Sequence, residues 1–385
     1  MNPPVWLMAT AAFTVGCGMR MIEPLLPMMA QDFGTGLGGV APLIGGFALA
    51  YGVGQFAIGP LGDRFGKIRV VAISLAIYAG MLVGAGLAEG LSTLLLFRVL
   101  MGLAAAAIVP LFMAHIGDSV PYGQRQAVLG KFLNGMVLSQ LLAGPLSGIV
   151  GEYAGWRWAF LGLGIVAVLI TAFFIARLGA PLWRAPAESG RGAGLAGFLK
   201  LLRKKAGRRL MIGTALDGLL MFGGAFPFLA SLLIERFGMS AAEAGLVVAS
   251  FGIGSLTYTQ SAGWLLARLG ERGMVMVGGI GVALAMVVFA LSPWWWAVAV
   301  AQAFVGLLFF MLHGSLQARA TEALPEARGT AVAGFAMALF LGQSVGSVIF
   351  GTLIVWAGFT ASMLVASAGL AALTLWLRGV VLRPA

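Results

Sequence analysis

The chain alternates between long apolar runs and short polar breaks. The runs lie at 5–29, 40–61, 70–88, 92–114, 128–150, 157–178, 209–234, 242–266, 273–292, 295–316, 329–355 and 359–377. Each approaches or exceeds the roughly 20 apolar residues a helix needs to cross a bilayer. None keeps the strict two-residue alternation of a barrel strand. Only helices and closed barrels satisfy their backbone groups in hydrocarbon, so the pattern predicts twelve spanning helices, numbered 1 to 12 in chain order.

The longest break, 179–208, is rich in Gly, Ala and Pro and then basic, and six runs lie on either side of it. This divides the chain into a six-helix bundle over 1–178, a linker over 179–208 and a second bundle over 209–385. The cationic amphipathic stretch 198–209 is suited to an anionic membrane surface. The two halves repeat. At an offset of 204, Phe33 meets Phe237, Phe47 meets Phe251, Gly59 meets Gly263, Arg64 meets Arg268 and Gly102 meets Gly306. One residue of slip then pairs Gln140 with Gln343 and Gly155 with Gly358. Parallel six-helix repeats predict two bundles related by a pseudo-two-fold axis, rocking about a central site.

Composition agrees: 60% of the residues are hydrophobic and 10% are charged. The excess of 24 Lys+Arg over 13 Asp+Glu follows the membrane and not a nucleic-acid partner. With both termini read as cytoplasmic, the basic loop residues fall on one side, and the opposite loops carry only Arg157 and Arg236. That is the positive-inside bias. Cys17 is the single cysteine, which excludes an intrachain disulfide. There is no P-loop, no metal-spaced Cys/His cluster and no nucleophile elbow, so no enzyme, metal or cofactor is expected. A gradient must supply the energy.

Charges inside spans are expensive and are functional candidates by default. Arg20 and Glu23 lie three apart on helix 1, share a face and can neutralise one another. Pro24 and Pro27 break the hydrogen-bond ladder beside them, as tolerated where a helix lines a cavity. Glu23 is the first choice for a protonatable carboxylate, with a structural Arg20–Glu23 pair as the other reading. Asp217, about two turns into helix 7, either carries a proton or cation or is a hydrated counterion to Arg208 or Arg209. His313, deep in helix 10, is a relay candidate. Gln140, Gln343 and Phe222 are candidates for lining a substrate cavity, the two glutamines being either symmetric ligands or ties between helices.

Between helices 2 and 3 stands "GPLGDRFGKIR", residues 59–69. Gly59 and Gly66 permit a tight turn. Asp63 is placed to face the positive end of a neighbouring helix and to pair with an arginine. The stretch resembles the loop motif of the major facilitator superfamily, Gly-x-Leu-Ala-Asp-Arg-x-Gly-Arg-Lys, through Gly59, Leu61, Asp63, Arg64, Gly66 and Lys67, with Gly62 in place of alanine. Its second copy, "GWLLARLGERG", has Ala267 where the acid stands. Arg98, followed by Gly102 and Ala104 to Ala107, is similar to the superfamily's helix 4 motif, whose arginine is implicated in proton coupling. The competing reading has Arg98 snorkelling to the interface. Gly144, Pro145 and Gly148 on helix 5 resemble the antiporter signature of drug:proton exporters, departing from it at Gln140 and Ile149. Such a helix could seal the inner half of the pathway against proton leak.

The resemblance implies a twelve-helix major facilitator transporter, all-α, in a bacterial-type inner membrane, monomeric, with a small-molecule substrate, protons and lipid as its partners. It implies proton-coupled efflux of a small amphipathic or drug-like molecule, with the loop around Asp63 as a conformational latch. The alternatives are a carrier of a metabolite, sugar, lipid or siderophore, or a sensor on the same fold without flux.

Overall fold

The computed structural model describes residues 3–183, 194–324 and 327–380. Ten of its helices are long and apolar enough to cross a membrane, and two of these are pairs of spans joined without a loop. Ala241–Leu291 turns at Gly270 (φ 64°), and Arg328–Val380 turns at Gly358 (φ 78°). A positive φ strains any residue with a Cβ, so glycine is required at both corners. Twelve spans result. They are helix 1 (Val5–Asp32), 2 (Leu37–Phe65), 3 (Lys67–Gly86), 4 (Leu91–Ser119), 5 (Gly123–Ala154), 6 (Trp156–Leu178), 7 (Lys205–Phe237), 8 (241–269), 9 (271–291), 10 (Trp295–Ala323), 11 (328–357) and 12 (359–379). The fold is that of the two six-helix bundles expected from the repeat.

The bundles meet unevenly. In the part of helix 8 near Ala241, most residues are buried, whereas none from 256 to 270 is. Helix 5 shows the same contrast, with no buried residue among 123–131. The halves are therefore apart at the end bearing the 59–69 loop and the linker, the basic end, and closed at the far end. Small residues make the closure. A methyl on Gly245 of helix 8 would stand 2.5 Å from the Gly144 carbonyl oxygen of helix 5, and one on Gly148 would stand 2.3 Å from that of Ala241. Helices 2 and 11 cross in the same way, with Gly45 against Ser344 and Ser347, and Tyr51 on Phe340 with ring centroids 4.1 Å apart. Transmembrane interfaces gain their stability from such close van der Waals approach. The Gly144–Pro145–Gly148 segment thus lies in the half away from the basic loops. The expectation that it seals the inner half is corrected: packing on helix 8 puts it at the far-end crossing.

The linker also departs from expectation. Residues 184–193 lie outside the described residues. Gly194–Arg203 is a helix whose Phe198 and Leu201 are buried, not spread on a membrane surface. Phe198 meets Phe56 of helix 2 at 4.6 Å between centroids, and Gly334 of helix 11 leaves room for Leu201. The short helix straddles helices 2 and 11 at the open end, because its apolar face finds two protein partners there.

Gly245→Val overpacks the far-end crossing, at a cost of about 1–3 kcal/mol, and moves the balance toward the alternative conformation by about fivefold or more. Spin labels at the exposed far-end positions Tyr153 and Trp356, on a Cys17→Ala background, will report a longer distance in that variant. An unchanged distance distribution would show that this crossing does not close the far end.

Candidate functional site

Two helices are broken at matched depths. Helix 1 runs from Val5 to Arg20, passes through a 3₁₀ turn at Glu23–Leu25 and resumes at Leu26–Asp32. Proline lacks an N–H and clashes with the carbonyl four residues back, so Pro24 and Pro27 free the carbonyls of Arg20 and Glu23. Helix 7 changes from α to π at Gly218–Ala225, then to 3₁₀ at Phe226–Phe228 around Pro227. Pro227 occupies, at the offset of 204, the place of Glu23.

The two breaks face one another across the interface. Arg20 Nη1 donates to Glu23 Oε1 at 2.8 Å, and its Nε donates to Gln140 Oε1 of helix 5 at 3.0 Å. Its guanidinium carbon lies 4.8 Å from the Phe222 ring centroid and 4.4 Å from that of Phe226, both on helix 7. Glu23 is buried, with 4% of its surface exposed. A cation in hydrocarbon is here met by a carboxylate, an amide oxygen and two aromatic faces, the last worth about 2 kcal/mol or more when desolvated. The arrangement is an aromatic-walled contact between the halves with a charged pair at its centre.

A second buried couple lies deeper toward the basic end. Asp217 Oδ2 is 2.9 Å from His313 Nδ1, and Asp217 has no exposed surface. Asp217 is therefore neither hydrated nor the counterion of Arg208 or Arg209. Gln343, the repeat partner of Gln140, makes no side-chain hydrogen bond among the described residues; its backbone carbonyl packs close to Gly223 of helix 7.

Arg98 is 1% exposed and does not snorkel. Its Nη1 donates to the Gly18 carbonyl of helix 1 at 2.7 Å, and its Nε donates to that of Leu43 on helix 2 at 3.0 Å. Phe47 covers its guanidinium at 4.5 Å. Gly18 belongs to the last turn before the helix 1 break, where carbonyls carry the negative end of the helix dipole. Arg98 thus holds helices 1, 2 and 4 together beside the site.

In the 59–69 loop, Gly66 turns with φ 90° and Gly59 has open space around it. Lys67 forms an ion pair with Asp118 at the end of helix 4. Arg64 is exposed, its guanidinium over the Phe65 ring. Asp63 is half-buried and has no salt bridge among the described residues. The second copy has its own ion pair with the signs exchanged, Glu271 to Arg319 of helix 10. That exchange was hidden in the sequence because Glu271 replaces not the acid of the motif but its lysine. Phe226 was missed as well; Pro227 opposite Glu23 was the available signal.

The comparisons with known proteins follow this geometry. The sequence profile of the Major Facilitator Superfamily matches residues 8–226 and again 210–385. The chain belongs to the Major Facilitator Superfamily. Among its relatives, the uncharacterized MFS-type transporter YwfA of Bacillus subtilis is 26% identical, over 92% of this chain and 86% of its own. The cis,cis-muconate transport protein of Acinetobacter baylyi is 29% identical over 71% of this chain and 68% of its own. A putative multidrug resistance protein, MdtD of Salmonella paratyphi B, is 22% identical over 91% and 86%. The fold is shared with a bacterial homologue of the human lysosomal transporter Spinster in an inward-facing, unoccupied conformation, at a TM-score of 0.77 and 18% identity over 97% of this chain and 94% of that one. The protein is a multi-pass membrane transporter, not an enzyme.

Arg98→Leu leaves the Gly18 and Leu43 carbonyls unmet, and hydrogen bonds to charged groups contribute about 1.5–3 kcal/mol each. Its melting temperature in detergent will fall by several degrees, and Arg98→Lys will recover part of the loss. An unchanged melting temperature for Arg98→Leu would contradict the bracing role.

Proposed function

We propose that this transporter exports small amphipathic molecules in exchange for protons by alternating access, as a monomer in the cytoplasmic membrane with both termini inside. The observation that carries the reading is the meeting of the two helix breaks, where Arg20 and Glu23 of one half lie against Phe222 and Phe226 of the other. A site built from both halves must come apart when they rock, so its affinity is tied to conformation. The basic end is read as cytoplasmic from the positive-inside bias, which makes this state open to the cytoplasm. An apolar body stacks on the two phenylalanines, and a polar group competes for Arg20, Glu23 or Gln140. The relatives named as multidrug resistance proteins support export of such molecules.

The conformational role of the 59–69 loop belongs to the same cycle. With the basic end open, Asp63 lacks a salt-bridge partner among the described residues. Closure of that end brings the loop of one half toward the helix starts of the other, where Asp63 gains one and latches the outward-open state. A second reading, a carrier of organic anions, is favoured by the guanidinium at the centre of the site and by the relative named for cis,cis-muconate.

The test uses everted membrane vesicles with ethidium as probe, collapsing the pH gradient and the membrane potential separately. Collapse of the pH gradient is expected to stop ethidium accumulation, and Phe226→Ala is expected to weaken its apparent affinity about tenfold, near the cation–π and stacking contribution. Accumulation indifferent to the pH gradient would overturn proton exchange. Uptake of cis,cis-muconate, with none of ethidium, would establish the second reading instead.

A further inference from the structure

Two acids are buried among the described residues, and their partners make them electrically unlike. Glu23 faces an arginine at 2.8 Å. That pair is neutral when Glu23 is ionised, and a proton added to it leaves a buried net charge of plus one. Asp217 faces a histidine at 2.9 Å. That pair is neutral only when it holds a proton, shared between carboxylate and imidazole; without it, a net negative charge is stranded where Asp217 has no exposure. Isolated charge in a low-dielectric interior is costly. The first acid is matched by a permanent cation, whereas the second faces only an imidazole, a group that can itself gain or give up a proton.

We propose that Asp217 and His313 together form the proton-carrying site of this transporter, separate from the Arg20–Glu23 site where substrate competes. This rests on the reading of the chain as proton-coupled and reassigns the proton from Glu23, the residue the sequence favoured.

The surroundings fit a proton and not a metal ion. Asp217 Oδ1 is buried without a hydrogen-bond partner. The imidazole lies between the rings of Phe309, at 4.8 Å and nearly parallel, and Phe335, at 5.1 Å. One open oxygen between aromatic walls cannot replace the hydration shell of a hard cation, which takes about six oxygen ligands. Among the described residues, no group of three or more His, Cys, Asp or Glu could hold a metal. The other faces of the couple carry no charge partner among the described residues. Helix 11 meets the neighbouring Gly218 through the Leu339 carbonyl, Gly314 beside His313 meets the Tyr258 hydroxyl of helix 8, and Arg319 further along helix 10 is engaged by Glu271.

Access and coupling follow from position. The His313 side chain keeps 10% of its surface exposed while Asp217 has none, so in this proposal the imidazole is the couple's outlet. In this state the proton leaves from His313 to the basic end. Asp217 is also the last α-helical residue before the π stretch Gly218–Ala225, which carries Phe222 and leads into Phe226. Short π segments recur at functional sites because their hydrogen-bond register can shift. Loss of the proton weakens the hold of helix 10 on helix 7 at the foot of that segment, and the change reaches the aromatic wall of the substrate site along the same helix.

The experiment joins a spectroscopic and a transport readout on the full chain. In purified protein, infrared difference spectra between acid and alkaline buffer are expected to show the carbonyl stretch of a protonated carboxyl that Asp217→Asn removes, His313→Gln displaces and Glu23→Gln leaves in place. In proteoliposomes with ethidium as probe, Asp217→Asn is expected to lose accumulation driven by a pH gradient, down to the level of empty liposomes, while still exchanging preloaded ethidium, and Asp217→Glu is expected to restore part of the driven flux. Exchange and the Asp217→Glu rescue separate lost coupling from lost folding. A carboxyl signal that survives in Asp217→Asn and disappears in Glu23→Gln would overturn the assignment, as would full pH-driven accumulation by Asp217→Asn. Wild-type protein that shows the Asp217 signal yet accumulates no ethidium under a pH gradient would sink the export reading while leaving the proton site standing.

Discussion

A guanidinium inside a membrane-spanning helix has to be met on every side, and Arg20 is met by partners from three helices. Its charge needs Glu23, its Nε needs Gln140, and its faces need the rings of Phe222 and Phe226. No single helix can supply these, because side chains three or four apart share only one face. The requirement draws helix 1, helix 5 and helix 7 to one point, and with them the two halves. The prolines that break helix 1 act on the same residues, freeing the carbonyls of Arg20 and Glu23 beside their charged side chains.

Around that point, other parts of the molecule divide into those that hold and those that give. Arg98 holds, by bonding the end of helix 1 to helix 2. The glycine crossings of helices 5 with 8 and 2 with 11 hold the far end shut through close backbone contact. The basic end gives. There the ion pairs Lys67–Asp118 and Glu271–Arg319 each stay within one half, so they stiffen the bundles without tying them together. The buried Asp217–His313 couple is likewise confined to the second half.

The architecture was legible because hydrocarbon imposes it on composition. A run of about 20 apolar residues has one structural outcome in a bilayer, and the offset of 204 marks the pseudo-symmetry in the sequence alone. Glycine signals were legible in part: Gly155 and Gly358 were matched by sequence, and both turn with positive φ. The site was legible as residues but not as pairs. Arg20–Glu23 could be read because three residues along a helix fix a geometry. Asp217–His313 could not, since 96 residues separate the partners and only the packing of helix 7 on helix 10 joins them. One reading of the sequence places Arg98 at the interface, because hydropathy locates a span but not which face of it is buried. The linker helix reads as a membrane-surface helix for a similar reason: amphipathicity names a face to be covered, not the surface that covers it.

The central claim is that Arg20 joins the two halves through the helix 7 aromatics when the far end is closed. Its most direct test is a double-mutant cycle on the conformational equilibrium, using Arg20→Met, Phe226→Leu and the pair, with populations read from far-end spin-label distances. Each single change is predicted to shift the protein toward the far-end-open state, and the double change to shift it no further than the larger single one, a coupling of about 1–2 kcal/mol. Shifts that add, within about 0.5 kcal/mol, would show that the two side chains act independently and would contradict the account.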